Sequence, residues 1–271
     1  MNNRKSKLII GRLPFLVGAP FFHDFLGRET PNIQWIDANP AKCNNLLKTG
    51  KIHAAPASSI EYLRNKQLYY ALADICTGST LDIKSVKLFS LYPLTELSGK
   101  DVFLTEQSET SVLLLKILLK HLDITPNFVQ KKDNSQAQLL IGDQALTASW
   151  QKAWPFEYDL ANLWQDWHHL PFVFGLWSVR KEAVDTPELA PKFQEFRKKL
   201  QKSINNFNKN KGISLQNWLK AYPSPIPLDE LLSYYKAIEY NFSPDHKKSL
   251  LIFDKLAQKH GVSKPGNFNF I

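Results

Sequence analysis

Residues 101–122 constrain the fold most. They run from a short apolar segment, Val102-Phe103-Leu104, through a loop with hydroxyls and neither Gly nor Pro, into Val112-Leu113-Leu114-Leu115-Lys116-Ile117-Leu118-Leu119. That last run is apolar almost all round, so a helix made from it is buried on most sides. A buried strand, a tight loop and a buried helix are half of a βαβ unit, which commits the chain to layered α/β structure. The first backbone N–H groups of such a helix have no partner inside it, and the macrodipole adds partial positive charge there. Thr105, Ser108, Thr110 and Ser111 surround that end with small donors, a setting that suits a carboxylate or phosphate. The plainer reading is that Ser108 or Thr110 caps the helix. Glu106 and Glu109 oppose an anion unless they point outward.

The rest of the chain repeats the alternation. Apolar or small-residue runs predict strands at residues 8–10, 32–36, 52–57, 68–75, 85–90, 138–141 and 170–177. Between them, helices are expected near Pro20, from Asn39-Pro40 to Gly50, from the capping-box pattern Ser58-Ser59-Ile60-Glu61, from Gln144, and over residues 159–167. The C-terminal third reads as helices over 189–207, 213–222 and 228–240, with a last one opened by Ser243-Pro244 and ended by Gly261. The fold class is therefore α/β with mixed, mostly parallel sheets and a helical C-terminal region. The turn-rich connection at 93–100 separates two blocks, and the long apolar strand at 170–177 is suited to carry the chain back. Ligands of open α/β sheets bind beyond the carboxyl ends of strands. Ser58-Ser59, the 105–111 loop and Gly142-Asp143 are such ends, rich in small polar groups. Asp143 is suited to orient a hydroxyl or act as a base, and helix capping explains it equally well.

Composition narrows the function. The net charge of +9 favours an acidic ligand. Lys198, Lys199, Lys202, Lys209 and Lys211 supply much of it on a helix face read as solvated, without a nucleic-acid motif. Cys43 and Cys76 lie far apart, without metal spacing, and read as reduced thiols of a cytoplasmic protein. No His, Cys or carboxylate cluster has ligand spacing, and no dinucleotide or phosphate-cradling glycine motif is present. The expectations are no metal, no cofactor, no nucleic acid and no membrane. Residues 1–7 are polar and basic, and the apolar run that follows is too short for a signal-peptide core.

Four segments, in order and approximate spacing, resemble a known family: Pro56-Ala57-Ser58-Ser59-Ile60-Glu61-Tyr62, residues 104–111, Leu140-Ile141-Gly142-Asp143-Gln144-Ala145-Leu146, and Leu170-Pro171-Phe172-Val173-Phe174-Gly175-Leu176-Trp177. The region from Tyr234-Tyr235 to Gly261 resembles it too. The family is chorismate dehydratase of the futalosine route to menaquinone. The resemblance implies a two-lobed type 2 periplasmic-binding-protein fold used in the cytoplasm. Residues 1–92 and 176–271 would form one lobe and 93–175 the other, as a monomer or homodimer. It also implies conversion of chorismate to 3-[(1-carboxyvinyl)oxy]benzoate and water without a cofactor. Taken with the strand-end reading above, the candidate site comprises Ser85, which matches the family's motif, and Asp143 as catalytic residues. Arg12, Val17, Ser58, Ser59, Ser85, Thr105, Ser108, Thr110, Ser111 and Gly142 are the candidates to bind substrate. Two departures stand out. Val17 occupies the place of a family Asn, and Leu81-Asp82-Ile83 replaces a Gly-Pro-Val pattern before Ser85. Val cannot supply the donors and acceptor of an amide. Arg12, or a backbone N–H at Gly18, is the expected substitute, and a homologue that binds without reacting is the alternative function.

Overall fold

The computed structural model describes residues 7–271; the rest of the basic leader, residues 1–6, lies outside the described residues. The chain opens with β1 (Leu8–Arg12), α1 (Ala19–Phe22), β2 (Ile33–Asp37), α2 (Pro40–Lys48), β3 (Ala54–Ser58), α3 (Ser59–Arg64) and β4 (Tyr69–Ser79). Next come β5 (Val86–Ser90), β6 (Asp101–Phe103), α4 (Glu109–His121), β7 (Asn127–Val129), β8 (Ala137–Ile141), α5 (Gly142–Trp150), β9 (Phe156–Asp159) and α6 (Leu160–His168). It closes with β10 (Phe172–Arg180), α7 (Lys181–Asp185), α8 (Ala190–Lys209), α9 (Lys211–Ala221), α10 (Leu228–Ala237), β11 (Glu239–Asn241) and α11 (Pro244–Lys259).

These strands make two sheets. The first has order β11-β4-β10-β3-β1-β2 and the second β7-β6-β8-β5-β9. The helices start where the side chains dictate. Asn39, Ser58, Ser108 and Ser243 each accept a backbone N–H from the first turn of the helix they precede. The capping box at Ser58 is half made. Ser58 Oγ accepts from Glu61 N, but the Glu61 carboxylate turns to Tyr69 and Asn65. The Ser58 N–H donates instead to Asn44 Oδ1.

Helix α4 is buried over Leu113, Leu114, Leu115, Ile117, Leu118 and Leu119, as its sequence requires. Burying one such side chain contributes roughly 1.5–3 kcal/mol, so this helix anchors the second lobe. In α8 the predicted stripe Phe193, Phe196, Leu200, Ile204 and Phe207 is buried against the first lobe.

Pairing differs from expectation in three ways. Among the described residues, four pairings are parallel and five antiparallel, so the sheets are mixed rather than mostly parallel. The antiparallel pairings come mainly from β10, which returns between β3 and β4, and from β5, which lies between β8 and β9. The chain changes sheet between Ser79 and Val86, and again between Asp159 and Phe172. Strand β5 thus sits in the second sheet and all of β10 in the first, so the sheets exchange chain ahead of residues 92 and 175. Finally, the helix read over 228–240 stops at Ala237, and Glu239–Asn241 forms an edge strand on β4. Pairing with an open edge and burial of Tyr240 outweigh helix propensity there. Strands β7 and β9 escaped the sequence reading because each is short and lacks an apolar run.

The C-terminal tail covers the rest of that edge. Ala71 N donates to Asn269 O, and Ala73 N to Ile271 O. Phe268 and Phe270 stack by Tyr62. An edge strand sealed in this way does not offer itself to another chain. No helix among the described residues is long and apolar enough to cross a membrane.

Candidate functional site

The carboxyl ends of β1, β3 and β4 lie at one side of the first sheet and face the second lobe across a cleft. Leu13, Val17, Ser58, Thr77, Phe174 and Gly175 line it from the first lobe. Ile83 and Ser85 from the crossing, with Ser108, Ser111, Ile141 and Gly142, line it from the other side. The cleft encloses about 130 Å³. Small-molecule pockets span roughly 300–1,000 Å³, so a ring compound needs more room than the cleft offers in this arrangement.

The loop after β1 is shaped by Gly18, where a Cβ would stand 2.2 Å from Leu13 O. No side chain fits that approach. Phe21 and Phe22 pack edge-on to each other and against Trp177, which seats the loop on the sheet. Three side chains from distant parts of the chain then hold its backbone. Leu16 N donates to Asp143 Oδ1 at 3.3 Å, Tyr235 OH donates to Leu16 O at 2.5 Å, and Tyr240 OH donates to Val17 O at 3.4 Å. The Ser85 backbone is fixed from both sides: its N–H donates to Ile83 O and its carbonyl accepts from Gly142 N.

Burial sets the protonation of this machinery. Desolvation pushes the Asp143 carboxyl up to about 6, against the pull of the Leu16 N–H. It also raises Tyr234, Tyr235 and Tyr240, so all three phenols stay protonated. The cleft is therefore apolar-walled and studded with neutral hydroxyls. Among the described residues, no Asp, Glu, His, Lys or Arg side chain lines it.

Of the residues expected from sequence, the fold brings Val17, Ser58, Ser85, Ser108, Ser111 and Gly142 together in the lining. The others are placed elsewhere. Arg12 forms a two-pronged pair with Asp37, at 2.6 and 2.9 Å, with Trp35 beside its guanidinium. The reason is register: parallel β1 and β2 set the two residues side by side. Ser59 is buried and donates to Val173 O at 2.6 Å. Thr105 accepts from Gln107 N and borders a separate groove with Arg64 and Lys116. Glu106 and Glu109 also point into that groove, away from the cleft. Asp143 sits behind the lining and does not cap α5, whose N-terminus has no side-chain cap. Gly18, the other expected substitute for an amide at 17, spends its N–H on Phe15 O at 2.9 Å.

Thr110 joins the lobes instead of binding a ligand. Its Oγ1 accepts from Ile60 N of α3 at 3.0 Å, near the 2.8 Å ion pair of Arg64 with Glu109. Thr110→Ala leaves that buried N–H without an acceptor and is expected to lower stability by about 1–2 kcal/mol. Thr110→Ser keeps the acceptor and should melt with the wild type. Equal melting temperatures for the Ala variant would refute this role.

The Asp143 displacement also has a definite sign. The folded protein holds the Asp143 proton up to about pH 6, whereas an unburied carboxyl releases it near 3.8. The folded state binds more protons between those values, so stability falls as pH rises through that window. Asp143→Asn cannot ionise and keeps an acceptor for Leu16 N–H. It should be more stable than wild type by roughly 2–3 kcal/mol above pH 6, with the difference vanishing below pH 4. Asp159 and Glu61 are raised by burial as well, but they are common to both proteins and cancel in the difference. Melting curves from pH 4 to 8 test this, and a pH-independent difference would count against it.

Sequence reasoning missed Thr77, Tyr234, Tyr235 and Tyr240. The strand read over 68–75 stops short of Thr77, yet β4 runs on to Ser79. Gly78 permits this, because a Cβ there would meet the His246 ring at 2.8 Å. Tyr234 and Tyr235 opened a segment that resembles the family, but nothing in the sequence assigned any of the three tyrosines to the site.

The sequence profile of a family described as menaquinone biosynthesis matches residues 8–259. A chorismate dehydratase of Thermus thermophilus is 31% identical over 212 residues, covering 68% of this chain and 77% of that one. A protein of Archaeoglobus fulgidus superposes with a TM-score of 0.74 at 16% identity, over 96% of this chain and 99% of its own. The alkanesulfonate-binding protein SsuA of Xanthomonas axonopodis, bound to MOPS, gives 0.68 at 16% identity, over 96% and 95%. The periplasmic aliphatic sulphonate-binding protein SsuA of Escherichia coli gives 0.64 at 14% identity, over 96% and 94%. The architecture is thus that of the periplasmic binding proteins.

Proposed function

The chain belongs to the menaquinone-biosynthesis family, and on that premise we propose that it is a hydro-lyase. It would convert chorismate to 3-[(1-carboxyvinyl)oxy]benzoate and water in the cytoplasm. The observation that carries this reading is the interlobe cleft of neutral hydroxyls under helix ends, in a chain 31% identical to a chorismate dehydratase.

Chorismate brings two carboxylates to this cleft. The first turn of α4 after Ser108 and the first turn of α5 after Gly142, whose own N–H is spent on Ser85 O, supply positive dipole ends without a buried cation. The ring proton beside the ether is acidified through the double bond to the ring carboxylate, and hydrogen bonds to that carboxylate stabilise the charge that develops. With no titratable side chain in the lining, the substrate's own side-chain carboxylate takes the proton. The ring C–O bond to the hydroxyl breaks, the departing oxygen recovers that proton, and water leaves as the ring becomes aromatic. No proton or electron is left over. The protein positions the carboxylate over the proton, excludes water and supports the leaving oxygen from Ser85. Asp143 serves as a positioning residue through Leu16.

The direct test is incubation with chorismate and detection of the enolpyruvyl benzoate by absorbance and mass. Val17 favours a second reading, a non-catalytic binder of the same class of carboxylate. Product formation removes that reading, whereas chorismate binding without product would establish it.

A further inference from the structure

We propose that Thr77 is a substrate-binding residue that recognises the ring hydroxyl of the bound molecule; the inference rests on the chorismate reading.

Thr77 stands at the carboxyl end of β4, directly opposite Gly175, which on its other side is opposite Ser58. The three residues form a row across the cleft floor. Gly175 leaves the middle of the row open, and a Cβ there would press on Ala57 O at 2.9 Å. A ring laid over Gly175 therefore has one hydroxyl on each flank.

The two flanks are not equivalent. Ser58 Oγ already accepts from Asn44 Nδ2 at 2.9 Å and from Glu61 N. Across the cleft, Ser108 and Ser111 hydrogen-bond each other at 2.9 Å. Among the described residues, Thr77 Oγ1 makes no hydrogen bond within the protein, although it lines the cleft. A hydroxyl without a partner on an apolar floor is placed to donate to and accept from a ligand.

Its position selects the ligand group. The helix ends suited to carboxylates lie in the second lobe, and Thr77 faces them from the first. The group of chorismate that carries no charge and both donates and accepts is its ring hydroxyl. The enolpyruvyl benzoate product lacks that group, which gives the test.

The experiment measures turnover of chorismate and the affinity of chorismate and of product, by calorimetry, for wild type, Thr77→Val, Thr77→Ser and Thr77→Ala. Val is isosteric and suits a strand. The expected result is about a tenfold loss in kcat/KM and in chorismate affinity for the Val variant. Product affinity should be unchanged and Thr77→Ser should lie near wild type. A merely structural role would weaken substrate and product together, and that outcome overturns the proposal. Wild-type behaviour in Thr77→Val, with turnover intact, overturns it while leaving the dehydratase reading standing. If the wild type binds chorismate without converting it, the dehydratase reading falls and the two affinities still decide the role of Thr77. If the wild type does not bind chorismate, both fall. Should the Val variant fail to fold, Thr77→Ala carries the same comparison.

Discussion

Val17→Asn is expected to raise kcat/KM for chorismate by about tenfold to a hundredfold. Position 17 lines the cleft, and the family resemblance assigns an Asn to it. Two substitutes for that amide were open on sequence grounds, Arg12 and the Gly18 N–H. The fold commits both: Arg12 to Asp37 and Gly18 N to Phe15 O. The Leu16 N–H and the Leu16 and Val17 carbonyls are taken as well, by Asp143, Tyr235 and Tyr240. The natural protein is therefore expected to turn over slowly, with its first-lobe wall apolar at this point. One transition-state hydrogen bond of this kind is worth roughly a hundredfold in rate, and Asn is close to Val in volume. Steady-state kinetics on the two proteins decide the matter. An unchanged or lower rate for the Asn variant, with melting temperature preserved, would mean that the amide is not what limits this cleft.

Ser85→Ala is expected to lower kcat by about 10²–10³, the usual loss on removing one preorganised donor from a water-excluded site. Ser85 is the cleft hydroxyl most firmly aimed. Its N–H and carbonyl are fixed by Ile83 and Gly142. Lys84 before it adopts φ of 61°, a left-handed conformation that a non-glycine residue rarely takes. The segment is thus held in a sparsely populated shape at the crossing between lobes. Ser85 is buried, so loss of its Oγ also removes packing, and some loss of stability accompanies the loss of rate. Affinity for the product separates the two effects. It should change by only a few-fold if Ser85 acts at the leaving oxygen, whereas a Ser85→Ala enzyme running within threefold of wild type would refute the role.

Much of this protein was written locally in its sequence. The apolar run in α4 could only be buried, and α4 is buried on most of its sides. Asn39, Ser58, Ser108 and Ser243 cap the helices they were expected to cap, because a cap involves residues two or three apart. The hydroxyl-rich strand ends that mark the cleft were legible for the same reason. Ser58, Ser108, Ser111 and Gly142 follow strands whose periodicity is plain.

The tertiary structure decided which of these groups remain free. Arg12 looked available until the pairing of β1 with β2 placed Asp37 beside it. Thr110 looked like a ligand donor until the fold gave it Ile60 N as a partner. The residues that hold the loop after β1 lie farther still: Tyr235 grips Leu16 from 219 positions away, and Asp143 from 127. The same holds for the antiparallel return of β10 and the edge strand Glu239–Asn241, which follow from an open sheet edge and a buried tyrosine rather than from local preference. Sequence spacing specifies what a side chain can do within a turn or a strand. Only long-range packing determines whether its hydrogen-bonding capacity is already spent, and in this cleft that decides what is left to meet the substrate.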